Sequence, residues 1–339
     1  MKKILIFGAG SIGNHMSNAC SELGYEVFVT DISRVALHRM KNFLYPLRYN
    51  KWDKRINIVD YKDVFNMDIF FDLIIIGTPP STHYDVFNLC KNALKFKKIL
   101  IEKPISNFLD NNIYKIKKYV NKYFIYCGYN HSVNPSFNYF LKLISDKKLI
   151  KSISVNWKEG WKGILNAHPW LKSEFSSYLG NYKIGGGAIQ EHSHGIHALV
   201  CILDRINLKK FNIDKKIIFF KKNKNIKYDY YSSFFSNTQN IFIKYETDLL
   251  TLPANKSVRI EYNNKIFIWT CNYQKNRDSI EIISSKSKTI KLFKKTRSSE
   301  FVNEIKHIMG INKKITYKKS AINLENSLKV FNLIQKSFK

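Results

Sequence analysis

Three observations predict a two-part α/β protein. Short apolar runs alternate with helical stretches over the first 126 residues, a glycine-rich turn follows the first run directly, and beyond residue 131 the runs follow one another with only turns between. The first pattern is that of βαβ units, and hence of a doubly wound parallel sheet. Its strands are read at "KKILIFG", "YEVFVTD", "FDLIIIGT", "KKILIEK" and "YFIYCGYN", each rich in Ile, Val, Phe or Tyr, with helices over 11–23 and 82–95. The second pattern predicts an α+β part with a large open, mostly antiparallel sheet, its strands at "SISVNWKEG" and near 215–222, 240–246, 256–261, 265–271 and 279–292. In the closing segment Leu324, Leu328, Val330, Phe331 and Ile334 recur close to helical period, which predicts a C-terminal helix.

Composition excludes several classes. With 339 residues, 45% of them hydrophobic, the chain can bury a large core. The opening "MKKILIFGAG" has no apolar h-region or small-residue cleavage site, and no stretch approaches the roughly 20 apolar residues of a membrane helix. A soluble, cytoplasmic protein with no membrane partner is expected. Five widely spaced cysteines without a CxxC pair fit a reducing compartment and argue against a disulfide framework or a zinc ribbon. The net charge of +30 is spread in ones and twos along the chain, beside no nucleic-acid-binding signature, so no nucleic acid is expected as partner. Heavy joint use of Lys, Asn and Ile looks like codon bias, although so basic a chain still attracts a phosphorylated small molecule.

The glycine-rich turn is "GAGSIG", with Gly8, Gly10 and Gly13 in GxGxxG spacing and Ser11 and Ile12 between the last two. Placed after a strand and opening a helix, it reads as the Rossmann loop in which backbone approaches a dinucleotide pyrophosphate at a helix N-terminus. Asp31 ends the second strand, placed to accept hydrogen bonds from the adenosine ribose and to repel a 2′-phosphate. NAD is therefore expected before NADP, with Arg34 as the residue that could pair with such a phosphate. Two further strand ends reach the same edge. "IIIGTPPSTHY" leaves Thr78, Pro79 and Pro80 in a rigid turn ahead of His83, and "ILIEKPI" delivers Glu102 and Lys103 ahead of Pro104. A lysine leaving a buried strand there can touch a substrate oxygen.

"GGGAIQEHSHGIHAL", residues 185–199, holds three of the nine histidines. On a helix at about 100° per residue, Ile196, Leu199, Val200 and Leu203 form one stripe. His192 falls on it as a core histidine, whereas His194 lies roughly opposite, near Glu191 and free to face a cleft. His192 and His194 then point too far apart to share one ion, with no cysteine or aspartate nearby to complete a set, so no metal is expected.

"GAGSIG", "GTPPSTHY", "EKPI" and "GYNHSVNPSF", in that order, resemble the glucose-fructose oxidoreductase / inositol dehydrogenase / MocA (Gfo/Idh/MocA) family. "AHPW" at 167–170 and the glycine–histidine stretch resemble its subgroup from surface-polysaccharide and nonulosonic-acid sugar pathways. The resemblance implies an NAD(P)-binding Rossmann domain over 1–126, an α/β substrate and oligomerisation domain over 127–318, and a C-terminal helix over 319–339 packing back near the first. It implies a homodimer or homotetramer, and hydride transfer at a secondary alcohol or ketone carbon of a sugar or nucleotide-sugar. It places the EKP lysine, Lys103, in the active site, His168 and Trp170 on the sugar or nicotinamide wall, and Asn130 on the cofactor side. Gly195 and His197 depart from the pattern, standing where the subgroup has acids, and His131 stands where an arginine is common.

The expected chemistry has His194 take the proton of the hydroxyl as hydride leaves its carbon, Glu191 orient His194, and Lys103 stabilise the developing alkoxide. Two alternatives carry the same cofactor: transient oxidation with elimination, as in NAD-dependent glycosidases, and a non-catalytic NAD-binding or scaffold protein.

Overall fold

Continuous apolar strands need cover on both faces, and the first six strands receive it. The computed structural model describes residues 1–144, 147–208 and 211–339. Its contacts divide into two units. The first comprises Met1–Ser106, Asp110–Asn130 and Arg297–Ser327, the second Asn107–Leu109, His131–Thr296 and Leu328–Lys339.

The first unit is built on β1 (Lys3–Phe7), β2 (Glu26–Thr30), β3 (Ile56–Ile58), β4 (Leu73–Ile76), β5 (Lys98–Ile101) and β6 (Phe124–Cys127). They lie in the order β3-β2-β1-β4-β5-β6, and every neighbouring pair is parallel. Ile4–Ile6, Ile74–Ile76 and Ile99–Ile101 are wholly buried, as parallel strands between two helix layers must be. The registers Phe7↔Thr30, Phe7↔Ile76 and Ile76↔Ile101 bring the carboxyl ends of β1, β2, β4 and β5 to one edge. Strand order reverses between β1 and β4, where open sheets of this kind bind ligands. Helices Ser11–Glu22 and His83–Ala93 fall where the sequence places them. The outer edge of β6 is covered by a late part of the chain: Cys127 N–H donates to Ile322 O (3.0 Å) and the Tyr317 hydroxyl to Ile125 O (2.6 Å). A ladder edge left open invites pairing with another chain, so this cover matters.

The second unit carries β7 (Ile150–Lys158), β8 (Lys215–Asn223), β9 (Ile226–Thr238), β10 (Ile241–Asp248), β11 (Asn255–Tyr262), β12 (Lys265–Gln274), β13 (Arg277–Ser284) and β14 (Lys288–Lys294). Their order is β8-β9-β10-β7-β11-β12-β13-β14. All pairs are antiparallel except β10 with β7. The sequence reading needs two corrections here. It missed β9, whose "IKYDYYSSFFSNT" buries serines and an aspartate, and it ran β13 and β14 together across the turn at 285–287. Ile153, Val155 and Trp157 alternate toward the buried face of β7, and helix Ser193–Arg205 lies against that face. No helix among the described residues is long and apolar enough to cross a membrane.

Candidate active site

The three loop glycines do different work. Gly8 adopts φ +104°, and a Cβ on it would stand 2.7 Å from Gly77 O, so only glycine lets the loops after β1 and β4 meet. A Cβ on Gly13 would stand 1.9 Å from Gly8 O, so its absence seats the helix on the loop. Around Gly10 nothing lies within 4 Å of such a Cβ. Room is thus kept beside the first turn of helix Ser11–Glu22, whose N-cap, Gly10, has no side chain to satisfy the amides. That combination suits a pyrophosphate.

At the end of β2, Asp31 accepts from Ala9 N–H through Oδ2 and from Ser33 N–H through Oδ1, both at 2.8 Å, which fixes the carboxylate at the loop. Arg34 turns to Asp60 (2.5 Å), so a 2′-phosphate would have to compete with that carboxylate for it. In the loop after β4, the Thr78 hydroxyl accepts from Thr82 Oγ1 (2.8 Å), and Pro79 holds an extended φ of −59°. His83 is fully buried behind this loop, its Nε2 2.8 Å from Thr78 O and Nδ1 3.1 Å from Ile105 O. Burial pulls its pKa down against the two carbonyls, which favour the charged ring. The imidazole therefore braces the turn. Beyond β5, the Glu102 carboxylate lies on Gly128, where a Cβ would be 2.6 Å from it, and accepts from Lys103 N–H (3.2 Å). Lys103 is half-buried at the edge. Asn130 is buried, and its Oδ1 has no donor among the described residues, leaving an acceptor for a ligand.

Sequence reasoning missed Glu304 in this unit. It is fully buried with neither oxygen hydrogen-bonded among the described residues, and burial, then the charge of Glu102, push its pKa well up. A glutamate one turn beyond Glu300 in a helix with Phe301, Ile305 and Ile308 was the available signal.

In the second unit the glycine–histidine stretch is not one helix. A turn Ala188–Glu191 ends at His192, which has φ −92° and ψ 22°, and helix Ser193–Arg205 begins after it. Gly195 to Leu203 are all buried, so the expected single stripe is a correction: the helix is covered nearly all round. His192 is 3% exposed, and its Nδ1 lies 2.9 Å from Thr247 Oγ1. Thr247 donates its hydroxyl to Trp157 O (2.7 Å), so it must accept from His192 Nδ1–H. His197 is fully buried, with Nδ1 2.6 Å from Ser132 Oγ. His194 and Glu191 are half-buried, and His194 meets the His131 ring edge-on at 4.7 Å beside Trp157. The three histidines of the stretch thus serve different surroundings. Gly195 has a packing reason: a Cβ there would be 2.8 Å from Trp157 and 2.9 Å from the Tyr245 ring. In "AHPW", His168 turns Nδ1 to Ile164 O (2.8 Å), and its ring stands edge-on to Trp170 at 5.3 Å.

Gly187, ahead of Glu191, is explained by a residue the sequence reading passed over. Asp229, fully buried on β9, accepts from Ile189 N–H (2.9 Å) and Ser232 Oγ (2.7 Å) through Oδ2. Its Oδ1 has no partner among the described residues and lies where a Cβ of Gly187 would come within 1.9 Å, at φ +91°. Burial raises the Asp229 pKa to about 7, against its two hydrogen bonds. Gln190 completes the anchor, donating to Tyr182 O and Gly186 O (2.8 Å each) and accepting from Phe108 N–H (3.1 Å). Gly187→Ala should therefore cost about 2–4 kcal/mol of stability, from a strained φ plus a buried clash. A urea titration within 0.5 kcal/mol or so of the parent would refute this account of the turn.

The glycine loop, the Asp31 carboxylate and the Glu102–Lys103 strand end share one carboxyl edge of the sheet, an arrangement that suits a dinucleotide. Residues 2–122, about a third of the chain, match the Gfo/Idh/MocA family model, described as an oxidoreductase family with an NAD-binding Rossmann fold. Among curated proteins, glycerol-3-phosphate dehydrogenase [NAD(P)+] of Staphylococcus aureus (strain COL) is 25% identical over 116 residues. That match spans 34% of this chain and 34% of the relative, about a third of either length. Solved structures match along nearly the whole chain. The inositol dehydrogenase homolog from Azotobacter vinelandii, complexed with NAD+, gives a TM-score of 0.73 at 10% identity, covering 99% of this chain and 94% of that one. KijD10, a 3-ketoreductase from Actinomadura kijaniata in complex with NADP and TDP-benzene, gives 0.72 at 10% identity over 98% and 95%. UDP-N-acetylglucosamine 3-dehydrogenase GnnA from Acidithiobacillus ferrooxidans gives 0.67 at 12% over 99% and 96%. At these identities the likeness is one of fold.

Proposed function

We propose that the protein is an NAD(P)-dependent oxidoreductase that moves a hydride between nicotinamide and a secondary alcohol or ketone carbon of a sugar, with a nucleotide-linked sugar of surface-glycan biosynthesis as the substrate class. The observation that carries this reading is the meeting of the glycine loop, Asp31 and the Glu102–Lys103 strand end on one sheet edge, in a chain whose residues 2–122 match this oxidoreductase family model. The similar structures named for nucleotide-sugar and inositol enzymes support the substrate class.

Bound nicotinamide supplies the hydride acceptor or donor. In oxidation the substrate hydroxyl must also lose its proton, and an ammonium beside that oxygen stabilises the developing negative charge. Lys103 is the residue assigned to this task. His194 is assigned proton transfer, because a half-buried imidazole can accept and return a proton, with Glu191 orienting it. His168 and Trp170 are assigned to the sugar, and Asn130, Thr78 and Pro79 to the cofactor side. Arg34 comes second to Asp31 in choosing the cofactor, which favours NAD. The five buried free cysteines suit a cytoplasmic location. Exposed Phe219, Phe242, Ile290 and Leu292 on the strands of the second sheet support a homodimer or homotetramer.

Native mass spectrometry of the purified protein with UDP-, GDP- and CMP-sugars, followed by absorbance assays with NAD+ and NADH, tests the proposal. Retained NAD and net turnover of one sugar nucleotide are expected. NAD binding with no sugar bound or turned over would overturn the assignment in favour of a non-catalytic protein, and turnover without net NADH in favour of glycosidase chemistry.

A further inference from the structure

Between β2 and β3 the chain makes a longer helical excursion than a single helix needs: Arg34–Arg39, a wider turn Met40–Leu44, then Tyr45–Tyr49. The last part runs along one face of helix Ser11–Glu22. The Tyr45 hydroxyl donates to Asn18 Oδ1 (3.1 Å), the Tyr49 hydroxyl bonds His15 Nδ1 (2.5 Å), and Arg48 donates to Asn14 Oδ1 and Ser11 O (3.2 Å each) and Ser11 Oγ (3.1 Å). Positions 18, 15, 14 and 11 are one helix face read toward its N-terminus. The excursion thus delivers a guanidinium to the residue that directly follows Gly10.

Three features there point to an anion. Arg48 is half-buried; burial weakens its hold on the proton, Tyr49 opposes this, and Arg297 adds repulsion between two cations. Asn14 is fully buried, and while its Oδ1 accepts from Arg48, its Nδ2 has no acceptor among the described residues. Ser11 Oγ accepts from Arg48, so its own hydrogen remains to be donated, beside the open room over Gly10.

We propose that Arg48 is a positioning residue for the dinucleotide: it aims the Ser11 hydroxyl at the pyrophosphate and adds its charge to the helix N-terminus there. This rests on dinucleotide binding by the first unit and is independent of the sugar assigned above.

Calorimetry on the full chain with NAD+, ADP and adenosine tests it. A charge-assisted contact of about 1.5–3 kcal/mol corresponds to a loss of roughly 10- to 100-fold, so Arg48→Met should raise Kd for NAD+ and ADP by that factor and leave adenosine unchanged. The affinity of the parent for NAD+ should also fall more steeply with salt than that of the variant. Ser11→Ala should weaken NAD+ binding and add little further loss when combined with Arg48→Met. Parental NAD+ affinity in Arg48→Met, equal losses for adenosine and NAD+, or fully additive losses in the double variant would each overturn the proposal. Should Arg48→Met fail to fold, Arg48→Gln, which keeps a hydrogen-bond donor without the charge, carries the same comparison.

Discussion

Lys103→Met is expected to bind NAD with parental affinity yet transfer hydride about 10²–10³-fold more slowly in a single turnover, because methionine fills the volume of the side chain without its charge. Lys103 leaves β5 at the carboxyl edge, while the cofactor loop is built from β1, β2 and the helix after Gly10, so the substitution spares the cradle. His194→Asn in the same assay should lose about 10²-fold. Near-parental rates in both single variants, on a sugar nucleotide that the parent turns over, would remove both residues from the chemistry.

The second large effect is on stability. Asp229 is raised from the ordinary aspartate range to about 7 by burial. In the unfolded chain it ionises near pH 4, so between about pH 4 and 7 the folded state holds a proton that the unfolded state has released. The contribution of this group is therefore complete below pH 4 and is lost as pH rises through 7, by about 2–4 kcal/mol in all. Asp229→Asn keeps a carbonyl oxygen for Ile189 N–H and Ser232 and cannot ionise. Urea titrations at pH 4.5, 6 and 8 should show the parent losing stability relative to this variant at each step. Parallel profiles would mean that Asp229 stays ionised in the fold.

The sheet of the first unit was legible because parallel strands covered on both faces leave uninterrupted apolar runs, as in "ILIF" and "LIII". Strand β9 was not, because it buries Asp229, Ser232, Ser233 and Ser236 where a half-covered strand would show an apolar alternation. Among the site residues, the glycine loop and Asp31 could be read from spacing alone, since only a backbone route fixes them. Helical periodicity put His192 in the core, but it was extended across a residue that is not helical, and so it neither accounted for the packing under Gly195 nor foresaw the burial of His197 against Ser132. Arg48, Asp229, Gln190 and Glu304 escaped notice for one reason. Each acts on a segment 37 to 202 residues away, as Arg48 on Ser11 and Glu304 on Glu102, and separation of that kind leaves no trace in a local window.

Residues 317–323 close the outer edge of β6, and they follow it by about 190 residues. A ribosome must therefore emit about 190 residues beyond β6 before that edge can be sealed. Until then the β6 edge is an open template in a crowded cell, and a product stopped short of residue 297 is a candidate for aggregation and proteolysis rather than a small dinucleotide-binding protein.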